Sequence, residues 1–139
     1  MPVQIMMTEG LVTKEKAQQI HHDVADALLE AHDISGNAFM TPNVIGEVIF
    51  VEKGLTFAGK DVQDLAIVEL RVPSFTFQTQ DQKAMFVERV TSIILNATNG
   101  TLSINNIWVN AVYAVDGFWG IAGQAYTNEQ LGDAINQAA

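Results

Sequence analysis

A proline directly follows the initiator methionine in the opening run MPVQIMMTEG. Position alone leaves two readings of Pro2 open. In one it is the rigid first residue of a strand, where proline is tolerated. In the other it does chemistry. Cells generally remove an initiator Met that precedes a small residue or proline, and what remains is a secondary amine at the chain terminus. An α-amino group has an ordinary pKa of roughly 7.7–8.0, and proline's amine is intrinsically more basic. Burial in an apolar pocket, or a nearby cation, lowers that value. An amine that is neutral near pH 7 is a good general base.

Few other side chains could assist it. Seven Lys plus Arg stand against sixteen Asp plus Glu, for a formal charge of −9, and the arginines are Arg71 and Arg89 alone. So acidic a surface repels phosphate backbones, so no nucleic-acid partner is expected. An anionic substrate would find few residues to hold it. Arg71 also reads as a strand-end ion pair with an acidic neighbour. The absence of cysteine removes disulfides, thiolate catalysis and Cys-based zinc sites. His21 and His22 are adjacent, so they point to different sides of a helix and lack the i, i+4 spacing of a metal pair. Neither a metal nor a cofactor is expected. His32, near the end of the same helix, reads as a cation facing the helix dipole.

The elements that must position these residues repeat. PVQIMM is a strand, closed by the turn TEG. Thr13 is a plausible N-cap, and Ile20, Val24, Leu28 and Ala31 mark a buried stripe behind it. VIGEVIFVE is a second strand, followed by the glycine-bearing KGLTFAGK. LAIVELRV then opens the same order again, halted by Pro73. TQDQ is a capping box with Thr79 as N-cap and Gln82 three residues on. Phe86, Val90, Ile93 and Ala97 share one face of the helix behind it, which NATNG stops with Gly100 near C′. IWVNAVYAV is a strand, and DGFWGIAGQ echoes KGLTFAGK.

At 139 residues and 48% hydrophobic content the chain is one domain, 1–139, made of two βαβ units at about 1–63 and 64–139. Each crossover should be right-handed with parallel strands. The predicted fold is α/β (α+β): a four-stranded sheet with two helices on one face, plus short hairpins that reach a neighbouring subunit. The bare sheet face calls for a homo-oligomer. A doubly wound nucleotide-binding fold competes, but no GxGxxG or P-loop follows a strand. No apolar run approaches the roughly 18 residues that span a bilayer, and no signal-peptide pattern opens the chain. The expectation is therefore a cytoplasmic protein without a membrane partner.

Taken together these residues resemble the tautomerase superfamily, built from βαβ units and beginning with a catalytic proline. MPVQIMMTEG is similar to the strand and EG turn of 4-oxalocrotonate tautomerase. TQDQKAMF is similar to the second-unit helix of malonate semialdehyde decarboxylase, and DGFWGIAGQ to the hairpin of the short tautomerases. The duplicated layout resembles the long, two-unit members, which assemble as trimers. The resemblance implies that Pro2 is the catalytic base and that Trp119, with Phe118 beside it, packs over a small carboxylate substrate. It places Arg71 near the substrate-binding arginines and His32 near a histidine of the cis-3-chloroacrylic acid dehalogenases. Asn110 resembles the strand asparagine of the migration inhibitory factor branch, with Tyr113 close by. Read without the resemblance, Trp119 and Phe118 are interface anchors and Tyr113 is core.

The departures narrow the chemistry. Leu11 stands where short tautomerases have an arginine, and Ser74 where dehalogenases and decarboxylases have a second one. Phe118 falls near the water-activating glutamate and Ala38 near the decarboxylase aspartate. Hydration needs a base to deprotonate water. The expected function is thus a tautomerase acting on a 2-hydroxy-dienoate or the enol of a 2-keto acid. The alternatives are a hydratase, dehalogenase or decarboxylase of the same superfamily, and a non-catalytic trimeric member.

Overall fold

The computed structural model describes residues 1–139. β1 (Val3–Thr8) leads through a turn to α1 (Lys14–Glu30). Thr13 caps α1 from an extended backbone, its hydroxyl accepting the Lys16 N–H at 3.2 Å. Ala17, Ile20, Val24, Ala27 and Leu28 form its buried stripe, and each large aliphatic among them contributes about 1.5–3 kcal/mol on burial. A loop with one 3-10 turn, Thr41–Asn43, precedes β2 (Gly46–Val51), which therefore starts later than its apolar run implies. β3 (Phe57–Ala58) and β4 (Asp61–Val62) make a small hairpin. The second unit runs β5 (Ala66–Pro73), α2 (Gln80–Ala97), β6 (Ile107–Ala114) and a hairpin of β7 (Trp119–Ile121) with β8 (Gln124–Tyr126). The expected capping box at Thr79 and Gln82 is present at the start of α2. Its buried stripe centres on Phe86, Val90 and Ile94, with Ile93 and Ala97 half-buried at the margin.

The sheet order is β2-β1-β5-β6. β1 pairs in parallel with β2 and β5 with β6, while β1 and β5 meet antiparallel. Side chains alternate across each strand. Val3, Ile5 and Met7 of β1 and Val68, Leu70 and Val72 of β5 point into one core with α1 and α2. Gln4, Met6, Ile67, Glu69 and Arg71 lie on the opposite face, where Trp108 is 64% exposed and Ile49 and Val112 are exposed. The four-stranded sheet with a parallel pair in each unit, α1 and α2 on one face and the two hairpins are as the sequence predicts, and the antiparallel β1–β5 junction between the units is what the structure adds.

One element was not expected. α3 (Asn128–Gln137) closes the chain with a capping box of its own at Thr127 and Gln130. It docks through buried Leu131 and partly buried Ile135. Asn37, itself buried, fastens it: Nδ2 donates to the Ile135 carbonyl at 2.9 Å, while Oδ1 accepts the Phe39 and Met40 N–H groups. Another close fit lies where β2 begins. A Cβ on Gly46 would sit 2.1 Å from the Val3 carbonyl oxygen and 2.5 Å from His21 Nε2, so the two strands meet there only without a side chain.

Candidate functional site

Pro2 precedes the first residue of the central strand. The Arg71 N–H donates to the Pro2 carbonyl at 2.9 Å, which extends the antiparallel β1–β5 ladder by one residue beyond Val3 and Leu70. Pro2 and Arg71 are therefore cross-strand neighbours on the open side of the sheet, where side chains come close. They line a cavity of about 430 Å³ with Met1, Tyr113, Phe118 and Trp119. The β7–β8 hairpin forms one wall. Its two-residue turn, Ala122 and Gly123, has both φ angles positive, at 51° and 83°, as the twist of a tight hairpin demands.

Arg71 brings the only charged side chain to this lining. Its Nε lies 3.5 Å from the Glu69 carboxylate two residues back, and the side chain is 56% exposed. The strand-end ion pair and the position at the cavity thus hold together. Trp119 is partly buried, and its Nε1–H has no partner although the atom is shielded from solvent. Phe118 is 80% exposed. The Tyr113 hydroxyl donates to the Thr76 carbonyl at 3.0 Å, so this ring is held at the cavity rather than packed in the core.

Met1 is 6% exposed and joins the main hydrophobic cluster. Its terminal amine donates to the Asn43 carbonyl, and burial pushes its pKa down to about 6. Met1 also lines a second cavity, of about 250 Å³, whose walls include His32, Met40, Phe75 and the α3 residues Leu131 and Gly132. His32 reaches it because the chain turns sharply after α1, with Asp33 at φ 55°. The ring leans on Phe77 with centroids 4.7 Å apart. Its Nε2 is buried without a partner. Burial pushes His32 below the ordinary histidine value, against the opposing charge of Asp33.

The structure thus brings Pro2, Arg71, Tyr113, Phe118 and Trp119 to one cavity and His32 to the adjoining one. Asn110 lines neither cavity: its side chain lies on the open sheet face, where its Nδ2 donates to Glu69 at 3.1 Å, and the same carboxylate lies 3.5 Å from Arg71 Nε. Met6 points from the open sheet face and is not among the cavity residues. Ser74 accepts a hydrogen bond from Asn128 Nδ2 at 2.8 Å. No three His, Cys, Asp or Glu side chains cluster as metal ligands would. No helix is long and apolar enough to cross a membrane. Sequence reasoning missed Met1 as a wall residue and α3 as a wall of the His32 cavity. TNEQ, the capping box of α3, was the signal available for the latter.

No family model matches the chain, and no curated protein matches it. Solved structures do. A fused 4-OT described as a symmetric trimer superposes with a TM-score of 0.76 at 12% identity, over 95% of this chain and 99% of that one. A protein inactivated by 2-oxo-3-pentynoate gives 0.74 at 16% identity, again over 95% and 99%. A malonate semialdehyde decarboxylase inhibited by 3-bromopropiolate gives 0.62 at 16% identity, over 88% and 89%. At such identities the likeness is one of fold, and it extends along nearly the whole chain: the tautomerase fold that the sequence resembles is the fold found.

Proposed function

We propose that this protein is a tautomerase that uses Pro2, exposed as the terminal amine once Met1 is removed, to move a proton within the enol form of a small 2-keto acid. The observation that carries the reading is the pairing of Pro2 with Arg71 across β1 and β5, at a cavity walled by Trp119. A terminal amine in this place is desolvated, as the Met1 amine already is, and desolvation favours the neutral, basic form. That amine takes the proton of the enol hydroxyl and leaves a dienolate; the ammonium then returns a proton to carbon. Arg71 grips the carboxylate through charge-assisted hydrogen bonds. The unpartnered Trp119 Nε1–H is a donor available to the oxygen on which charge develops. Asn110 reaches the site through Glu69, whose carboxylate it shares with Arg71.

The active form is proposed to be a homotrimer. Support comes from the exposed apolar side chains on the open sheet face, Trp108 foremost, and from the trimeric assembly of the fused 4-OT. Sedimentation should return three times the chain mass, and Trp108→Glu should lower it.

Turnover tests the chemistry. Pro2→Ala should abolish ketonisation of phenylenolpyruvate or 2-hydroxymuconate, and an unchanged rate would sink the reading. Intact mass reports whether Met1 is gone. Because 2-oxo-3-pentynoate inactivates a structural neighbour, it is a fitting label for an unprotonated Pro2 at neutral pH. One observation favours a second reading, a non-catalytic member of the same fold: the only cation at the cavity is already paired with Glu69. A Met-free protein that resists labelling would support it.

A further inference from the structure

Two cavities meet at one residue. The Pro2–Arg71 cavity and the His32 cavity share Met1 and nothing else in their linings, and the Met1 side chain is buried between them. Met1 is the partition. Its removal, which the proposed function already requires, would open one continuous space from Arg71 to His32.

The chemistry of that space differs from end to end. Arg71 is the only charged side chain in either lining. Beyond the partition the walls are mostly apolar, with Met40, Phe75 and Leu131 among them, and their polar residues, Thr76, Asn136 and His32, include no cationic Lys or Arg. A carboxylate carried there would lose its water and gain no cation, a costly state. At the far end lies an imidazole nitrogen that is buried and unpartnered. Burial favours its neutral form, which hydrogen-bonds an uncharged polar atom and does not balance an anion. The chain's charge of −9 further disfavours dianions.

We infer that the substrate is a monoanionic enol acid whose uncharged tail lies in the space of the Met1 side chain, carboxylate at Arg71 and tail toward His32. This rests on the tautomerase reading and narrows it: dicarboxylate enols are poor substrates. The methionine side chain is the ruler for the tail, four heavy atoms in an unbranched run.

Binding tests the inference apart from catalysis. Hexanoate and adipate are matched in length and differ in the second charge. On Met-free protein, verified by intact mass, calorimetry should show hexanoate binding at least tenfold more tightly than adipate. Pro2→Ala still loses Met1 and should keep that preference, whereas Pro2→Gln retains Met1 and should lose hexanoate binding. Gly132→Leu fills the His32 end from α3, where an added Cβ meets nothing within 4 Å. It should weaken hexanoate at least fivefold and leave propanoate unchanged, with circular dichroism reporting the fold. Equal binding of adipate and hexanoate, or hexanoate bound equally with Met1 retained, overturns the inference. Turnover that prefers the enol of 2-oxoadipate to that of 2-oxohexanoate overturns it too. Absent turnover with the binding pattern intact overturns the tautomerase reading and upholds the tail site.

Discussion

The two βαβ units place equivalent residues at opposite ends of the central strand pair, and the two ends are built differently. Val3 of β1 corresponds to Ala66 of β5, since they open the parallel pairings with Gly46 and Ile107. Counting along both strands, Thr8 corresponds to Arg71 and Leu65 to Pro2. The backbone respects this: Thr8 N–H donates to the Leu65 carbonyl at 3.1 Å, as Arg71 N–H donates to that of Pro2. The side chains do not. Thr8 is fully buried, shares a 2.8 Å hydrogen bond with the buried Thr56 hydroxyl and accepts the Leu65 N–H at 2.9 Å. Beyond it, Lys53 and Asp64 form an ion pair beside a polar hollow. One end is sealed by threonines around an amide within the chain. The other holds a cation, a cavity and a residue that can become the chain terminus. The fold offers two such ends, and under the proposed function the amine belongs to the Pro2 end alone.

Replacing the cation attacks that contrast most strongly. Arg71→Ala should cut kcat/KM for a carboxylate substrate about a hundredfold, the loss of charge-assisted bonds worth roughly 1.5–3 kcal/mol, with little change in melting temperature. Next in size is a pH effect confined to the open end. In protein that retains Met1, the folded amine titrates at about 6 instead of its ordinary 8.0. The unfolded chain binds the extra proton between those values, so stability is full above pH 8 and falls as pH drops toward 6. The ceiling is about 2.7 kcal/mol for two pKa units, read by denaturant titration across that range. His21 and His32, both held low chiefly by burial, add a loss of the same sign only below roughly pH 6.5.

At the sealed end the expectation inverts. Thr8→Val leaves the Leu65 N–H without its acceptor and removes one of two hydrogen bonds from the Thr56 hydroxyl, which still donates to the Gln63 carbonyl, and should cost about 1–2 kcal/mol of stability. Turnover by the surviving folded protein should be unaffected. The smallest effect concerns the hairpin wall. Ala122 sits at φ 51°, a conformation in which glycine is unstrained, and Ala122→Gly should stabilise the fold by about 0.5–1 kcal/mol. A destabilised variant would mean that Ala122 makes contacts worth more than its strain.

Local signals carried most of the secondary structure. Thr13 and Thr79 cap the helices they were expected to cap, and glycine-bearing segments after β2 and β6 fold back as hairpins. These features depend on neighbours within a few residues. The neighbours of Pro2 depend on the β1–β5 register, a pairing across the sequence that periodicity does not encode. Asn110 illustrates the limit: it lies on the right strand, yet Glu69, directly opposite in the register, takes its side chain. His32 was placed at the end of α1, but the cavity it lines is walled in part by α3, a ten-residue helix whose apolar content is low enough to pass for a tail. Met1 escaped for another reason, because its burial is a tertiary fact about a residue usually dismissed.

The glycine at the start of β2 has a consequence for how the sequence can drift. His21 packs against Gly46, yet the two positions are not equally free to change. A smaller residue at 21 would clear one obstruction to a side chain at 46, but the Val3 carbonyl oxygen, 2.1 Å from where that Cβ would sit, belongs to the backbone and cannot be substituted away. Position 21 can therefore vary alone, whereas position 46 is frozen for as long as β1 and β2 keep this alignment. In a library of folded variants, 46 should admit glycine only, and a residue other than glycine recovered there would report a slipped strand.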